Sequence, residues 1–300
     1  MDDLRDILAQ LEPELGPLVG EPEVLSGGIT NHNLKARLGD ADYVLRICGK
    51  DTEVLSIDRE TEVTATRAAH AAGVAPEVVR WLPDHGCLVT AFIPGSPMRP
   101  EELRDPEALA QVAAALRAIH GGPPLDRRFP TFTLVEEYTA TVRERGGEPP
   151  AAELALARDL SARIGAALGA HPLVPCHNDL LTANFIHDGA RVRIVDWEYA
   201  GMNDRFFDLG NLSVNNGLGE DDDARLLEAY LERPPTDGER ASLRLMRLMS
   251  DVREAMWGVV QDVVSELDFD YGAYAAEHFA RLRESAADPR LEDWIRAASP

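Results

Sequence analysis

Basic residues are scarce in this chain of 300. Lysine and arginine total 30 against 52 acidic residues, a net charge of −22. Such a chain has no broad basic face, which excludes extended contact with nucleic acid or anionic lipid. An acidic surface favours solubility and also suits a cationic small molecule. Cysteine is scarcer still. Cys48, Cys87 and Cys176 are scattered and lack metal-ligand spacing, so they read as buried thiols of a reducing compartment. No apolar run approaches the ~20 residues of a membrane span. The opening MDDLRDILAQL is acidic and amphipathic, without the basic, apolar and small-residue order of a signal peptide. The expectation is a soluble, cytoplasmic protein with neither nucleic acid nor membrane as partner. There is no internal repeat, and the hydrophobic fraction is an ordinary 45%. The length suffices for one large or two medium domains.

The first third reads as β-rich with one helix. EVLSG, NLKARL and DYVLRIC are short runs of alternating character, and Gly39-Asp40 punctuates the last two as a hairpin turn would. IDRETEVTATRAAHAAG is rich in helix formers and stops at Gly73. EVVRWL and CLVTAFI are two further strand candidates. IPGSPMRP, rich in proline and glycine, marks the boundary between two lobes, residues 1–94 and 95–300. Beyond it the chain reads as helical. Asp105-Pro106 opens a helix with Leu109, Val112, Leu116 and Ile119 on one stripe. Only residues 183–196 look β-like there, as a hairpin turning at Asp188-Gly189. The fold class expected is α+β, with a small β-rich lobe, a large helical lobe and a functional cleft between them.

The residues that carry chemistry lie in CHNDLLTANF, with Asp179 and Asn184 five apart, followed by Asp196 at the end of the run VRIV. This is the phosphoryl-transfer arrangement. One aspartate accepts a hydrogen bond from the attacking hydroxyl. The asparagine and the second aspartate hold Mg²⁺, which prefers hard oxygen ligands, on the phosphates of ATP. The alternative is a polar hairpin with a helix-capping aspartate. An aspartate of ordinary pKa, near 4, is a weak base at neutral pH, so orientation of the hydroxyl is expected to matter more than its basicity. His177 is expected to brace the loop rather than react. D-F-G and A-P-E are absent, as is any activation segment after Asp196, which argues against a protein kinase.

CHNDLLTANF and IVDWEYAGMNDRFFDLGN resemble the two signature motifs of the choline/ethanolamine kinase and aminoglycoside phosphotransferase superfamily. SGGITNHNLKARL, YVLRICG and the APEVV segment resemble its choline kinase branch. The resemblance runs over most of the chain. It implies a protein-kinase-like fold that uses ATP and Mg²⁺, with Asp179 as base and Asn184 and Asp196 as metal ligands. It places Arg46 where protein kinases carry a phosphate-binding lysine, and a guanidinium can clamp phosphate oxygens in two-pronged fashion. Glu62 is its expected ionic partner, with Glu60 the alternative. Gly28, Thr30 and Asn31 are expected to present polar groups to phosphates. Phe92 and Ile93 are expected to meet the adenine edge through their backbone.

For the acceptor, a cationic amino alcohol calls for aromatic faces and a carboxylate. Tyr199, Trp257 and Tyr271 are the candidates for an aromatic cage, with Tyr274 nearby; ordinary core packing is the competing reading for each. The family pattern continues after FDLGN toward an acidic residue beside the substrate, where this chain has Asn215 and Asn216. That departure weakens the case for choline itself and leaves room for ethanolamine, another amino alcohol, thiamine or a sugar; an aminoglycoside is the second reading, with the same chemistry on a polyhydroxylated cation. An ATP-binding protein without turnover is the reading from a different class.

Overall fold

The computed structural model describes residues 2–25, 31–49, 52–55, 57–265, 267, 269–299. Gly28 and Thr30 lie outside the described residues. The small lobe holds α1 (Asp2–Leu15), β1 (Glu23–Val24), β2 (Asn31–Leu38), β3 (Ala41–Cys48), α2 (Arg59–Ala71), β4 (Val78–Leu82) and β5 (Cys87–Ala91). Its five strands form one antiparallel sheet in the order β1-β2-β3-β5-β4.

The alternating runs give this sheet directly. Ala36, Leu38, Leu45 and Val89 point inward, and Ile7 and Leu11 of α1 close over them. Gly39 turns the β2–β3 hairpin at φ +57°, and a Cβ there would lie 2.6 Å from the Leu15 carbonyl oxygen. Only glycine fits both demands. Asp58 caps α2 by accepting from the Thr61 N–H, and Gly73 follows its end at φ +76°. Ala65 and Ala69 on the inner face of α2 pack into the core of the other lobe, so this helix bridges the two.

The large lobe begins with β6 (Ser96–Pro97), α3 (Pro100–Leu103), α4 (Pro106–His120), α5 (Leu134–Glu144) and α6 (Ala151–Leu168). It continues through β7 (Leu173–Cys176), β8 (Phe185–His187), β9 (Val192–Ile194), β10 (Gly201–Asp204) and α7 (Arg205–Asn215). It ends with α8 (Glu220–Leu231), α9 (Asp237–Val264), α10 (Tyr271–Ala286) and α11 (Leu291–Ala298). The Asp105 carboxylate caps α4 with Pro106 at its first position, and the whole predicted stripe is buried.

Two parts of the lobe differ from the expectation. The region 183–196 is not its only β structure, because β7 pairs antiparallel with β10, Cys176 facing Gly201. IPGSPMRP is not a bare connection either, since Ser96 and Pro97 pair with β8. These short ladders matter for the site. β7 and β10 set the start of the loop that carries Asp179, and β8–β9 returns the chain to Asp196. Among the described residues no helix is long and apolar enough to cross a membrane.

Candidate active site

The loop from Cys176 to Asn184 is held by the helix that follows it in space. The Asp208 carboxylate of α7 accepts the N–H groups of His177 at 2.8 Å and Asn178 at 2.7 Å. Asn211 accepts the Leu180 N–H at 2.5 Å, and Asn216 donates to the Leu180 carbonyl at 2.8 Å. Asp208 and Asn211 of the D-L-G-N run, with Asn216 just beyond it, therefore hydrogen-bond the loop's backbone. Asn178 sits at φ +67°, a strained conformation that its own bonds to Tyr199 and Asn203 sustain. Burial opposes ionisation of Asp208, but His120 and these N–H groups outweigh it and hold the carboxyl below its ordinary range.

His177 is a brace. Its Nδ1 accepts the Asp179 N–H at 3.2 Å, its Nε2 lies 3.0 Å from the Val195 carbonyl, and its ring packs edge-on against Trp197. Burial lowers its pKa, so the ring is neutral and ties the Asp179 loop to the strand end before Asp196.

Asn184 closes the loop. Its Nδ2 donates to the Asp179 carbonyl at 2.8 Å, which directs its side-chain oxygen elsewhere. Asp196 follows β9 at φ +68°. Its carboxylate meets Arg46, whose Nη1 lies 3.3 Å from Glu62 and whose Nη2 lies 3.1 Å from Glu198. Of the two carboxylates considered for Arg46, Glu62 is the one that faces it. Glu60 instead accepts the Trp81 indole N–H. Arg59 bonds both Glu62 and Glu198. Burial works against the charge on Arg46, but Asp196, Glu62 and Glu198 outweigh it and keep the guanidinium protonated. Burial also pushes Asp196 upward against the pull of Arg46.

A cleft of about 390 Å³ opens beside this network. Arg46 and Glu62 form one wall, Phe92 and Ile93 another, and Asn184 and Asp196 the floor. Two expected contributors are placed differently. The Asn31 side chain is taken up by Glu198 and Arg59, at 2.9 and 3.2 Å, and does not face the cleft. The Phe92 N–H donates to the Asp42 carbonyl at 3.0 Å, and Lys35 covers its ring at 4.2 Å, so that N–H is not open to a ligand.

On the other side of Asp179 lies an aromatic group. The Trp257 indole N–H donates to the Tyr199 hydroxyl at 2.8 Å, and Tyr271 and Tyr274 pack edge-on to Trp257 with centroids 5.7 and 5.4 Å away. It is not an open cage. Arg253 lies 4.3 Å over the Tyr199 ring, and its Nη1 bonds Asp179 Oδ1 at 2.9 Å and Glu254 Oε1 at 2.7 Å. Glu254 also receives the Tyr274 hydroxyl at 2.8 Å and the Asn215 amide at 3.1 Å. Asn215 thus stands beside a carboxylate supplied by α9, at the place where an acidic residue was expected from α7.

Burial pushes Asp179 up to about 7, opposed by Arg253 and assisted by Glu254. It is therefore a far better base near neutral pH than an ordinary aspartate. Burial opposes ionisation of Glu254, yet Arg253, His278 and the Tyr274 hydrogen bond hold it below its ordinary range. Sequence reasoning missed Glu198, Arg253 and Glu254 as site residues. The available signal was the second acid in DWEY and a charged Arg-Glu pair inside the apolar stretch DVREAMWGVV.

Comparison with known proteins agrees with this architecture. The model of the phosphotransferase enzyme family matches residues 21–245. A choline/ethanolamine kinase family protein from Mesorhizobium loti is 34% identical, with a TM-score of 0.84 over 99% of each chain. Ethanolamine kinase 2 of Rattus norvegicus is 29% identical over 91% of this chain and 78% of its own length. Choline kinase LicA of Streptococcus pneumoniae shares the fold at 23% identity, with a TM-score of 0.80 over 96% of this chain and 99% of its own. The chain belongs to the phosphotransferase enzyme family, in its choline/ethanolamine kinase branch, and is a small-molecule kinase.

Proposed function

We propose that the protein transfers the γ-phosphoryl group of ATP to the hydroxyl of a small amino alcohol, in the manner of choline and ethanolamine kinases. The observation that carries this reading is the position of Asp179. Its carbonyl accepts from Asn184, which lines the cleft with Arg46 and Asp196, and its carboxylate meets Arg253, which lies over Tyr199 beside Trp257. The cleft has apolar walls, Val44, Leu88 and Ile186 among them, suited to adenine, with Ile93 offering backbone groups at its edge. Arg46 is assigned to the phosphates, oriented by Glu62.

In the transfer, the acceptor oxygen bonds to the γ-phosphorus as the bond to the β-phosphate oxygen breaks. The hydroxyl proton passes to Asp179 and ADP leaves. A carboxyl pushed up to about 7 can take up that proton near neutral pH in the fraction of molecules in which it starts ionised, a fraction that grows as pH rises. The donor set fits Mg²⁺. Asn184 and Asp196 are hard-oxygen groups lining one cleft, and the amide nitrogen of Asn184 is tied back to the loop. Mg²⁺ there would neutralise charge on the phosphate oxygens. Three free, buried or half-buried thiols suit a reducing, cytoplasmic location.

The test is Mg²⁺-dependent ATP turnover across ethanolamine, choline, thiamine, simple sugars and aminoglycosides. Stimulation by an amino alcohol supports the reading. Stimulation only by a sugar or aminoglycoside keeps the roles of Asp179, Asn184 and Asp196 and removes the amino-alcohol assignment.

A further inference from the structure

An ammonium group seeking Asp179 would settle on an aromatic face between carboxylates. The protein already has a cation there. Arg253 is buried to 4% exposure, lies 4.3 Å over the Tyr199 ring and bridges Asp179 and Glu254 through one nitrogen. It is anchored from behind, because Glu254 is itself held by Tyr274 and Asn215. Its Nε is buried and has no hydrogen-bond partner. A guanidinium does not give up its charge, so a cationic acceptor meets an occupied seat.

The two kinds of ammonium differ in how they tolerate this. A primary ammonium is small and donates hydrogen bonds, so it can share a carboxylate with Arg253 from the side. A trimethylammonium donates none and depends on open aromatic faces. Here the Tyr199 face is covered, and Trp257 is edge-packed against Tyr271 and Tyr274 with its N–H on Tyr199.

Building on the amino-alcohol reading above, we infer that Arg253 is a specificity-determining residue. It occupies the quaternary-ammonium seat beside Asp179 and reserves the acceptor site for primary-amine alcohols.

The experiment compares kcat and KM for ethanolamine and choline in the wild type and in Arg253→Met, which keeps the length and removes the charge. The wild type is expected to prefer ethanolamine. In Arg253→Met the ratio of kcat/KM values should move toward choline by about tenfold or more, the size a desolvated cation–π contact commands, through a lower KM for choline. Both substrates lose kcat together because Asp179 loses a partner, and the ratio cancels that loss. The double variant Arg253→Met, Glu254→Gln removes both charges of the buried pair and keeps the test readable where the single variant does not fold. Arg253→Lys, which keeps the charge, should retain the wild-type preference. An unchanged ratio, or a wild type that uses choline as well as ethanolamine, overturns the assignment of Arg253 alone. No turnover of either alcohol by any of these proteins, with a sugar or aminoglycoside accepted instead, overturns the amino-alcohol reading and this inference with it.

Discussion

Two buried arginines, Arg46 and Arg253, are held in different ways. Arg46 comes from β3 of the small lobe, and its carboxylates come from α2 and from the loop after β9. Its network joins the two lobes. Arg253 comes from α9, and both of its partners, Asp179 and Glu254, belong to the large lobe. The nucleotide side therefore depends on how strands and helices of separate lobes meet. The proposed acceptor side draws on α9, its neighbours α7 and α10 and the segment after β9, all within the large lobe. On the proposed roles, a single substitution on α9 is expected to retune the acceptor, whereas a change at Arg46 is expected to disturb nucleotide binding and the lobe contact together.

The largest effect expected is at the point both sides share. Asp179→Asn should cut turnover by ~10²-fold or more, leaving ATP affinity largely intact in an equilibrium binding assay. Asp196→Ala should remove Mg²⁺-dependent nucleotide binding as well. This contrast breaks the account if Asp179→Asn retains full activity.

Next comes the contact across the lobes. Arg46→Ala removes the guanidinium that Glu62, Asp196 and Glu198 share, while Arg59 still meets Glu62 and Glu198. Breaking a buried pair in this way costs about 3–5 kcal/mol, readable as a lower denaturation midpoint, and KM for ATP should rise. Loss of stability without a change in KM for ATP would make Arg46 purely structural.

A smaller effect is expected at Asp208, which serves the loop and neither ligand side. Asp208→Asn weakens its acceptance of two backbone N–H groups and should cost about 1–3 kcal/mol. Because the native carboxyl is held below its ordinary value, its stabilisation is complete above the unfolded pKa near 3.9. It is lost as pH falls through the lower native value. The difference between wild type and variant in urea melts should therefore be full at pH 7 and shrink below about pH 4. A difference independent of pH would show that charge is not what Asp208 contributes.

The smallest concerns the aromatic side. Trp257→Ala should raise the acceptor's KM several-fold, an effect of roughly 0.5–2 kcal/mol, with KM for ATP unchanged. An unaltered acceptor KM would return Trp257 to core packing.

These comparisons also explain what the sequence revealed. The β2–β3 hairpin, α2 with its stop at Gly73, and α4 with Asp105-Pro106 were legible because pattern and punctuation agree within a few residues. Glu62 was the preferred partner of Arg46 with Glu60 left open, and the structure places Glu62 at 3.3 Å. β7 and β10 were not legible, since LVPC and GMND are four residues each, one containing Pro175, and pair across a long interval. α7 was hidden by its own motif, with Gly210 in mid-helix. That glycine is required by close approach to α9, where a Cβ would lie 2.7 Å from the Met246 carbonyl carbon. Arg253 and Glu254 could be seen as charges in an apolar run. Their meeting with Asp179 depends on the path of α9 across the loop, a tertiary fact that no local pattern carries.

The most direct measurement is ³¹P NMR of the products formed from Mg²⁺-ATP and ethanolamine by the wild type and Asp179→Asn side by side. The account predicts a phosphate monoester and ADP from the wild type, and at most a trace from the variant. Equal product from both proteins, or ADP with inorganic phosphate and no ester from the wild type, would contradict phosphoryl transfer to an amino alcohol at Asp179.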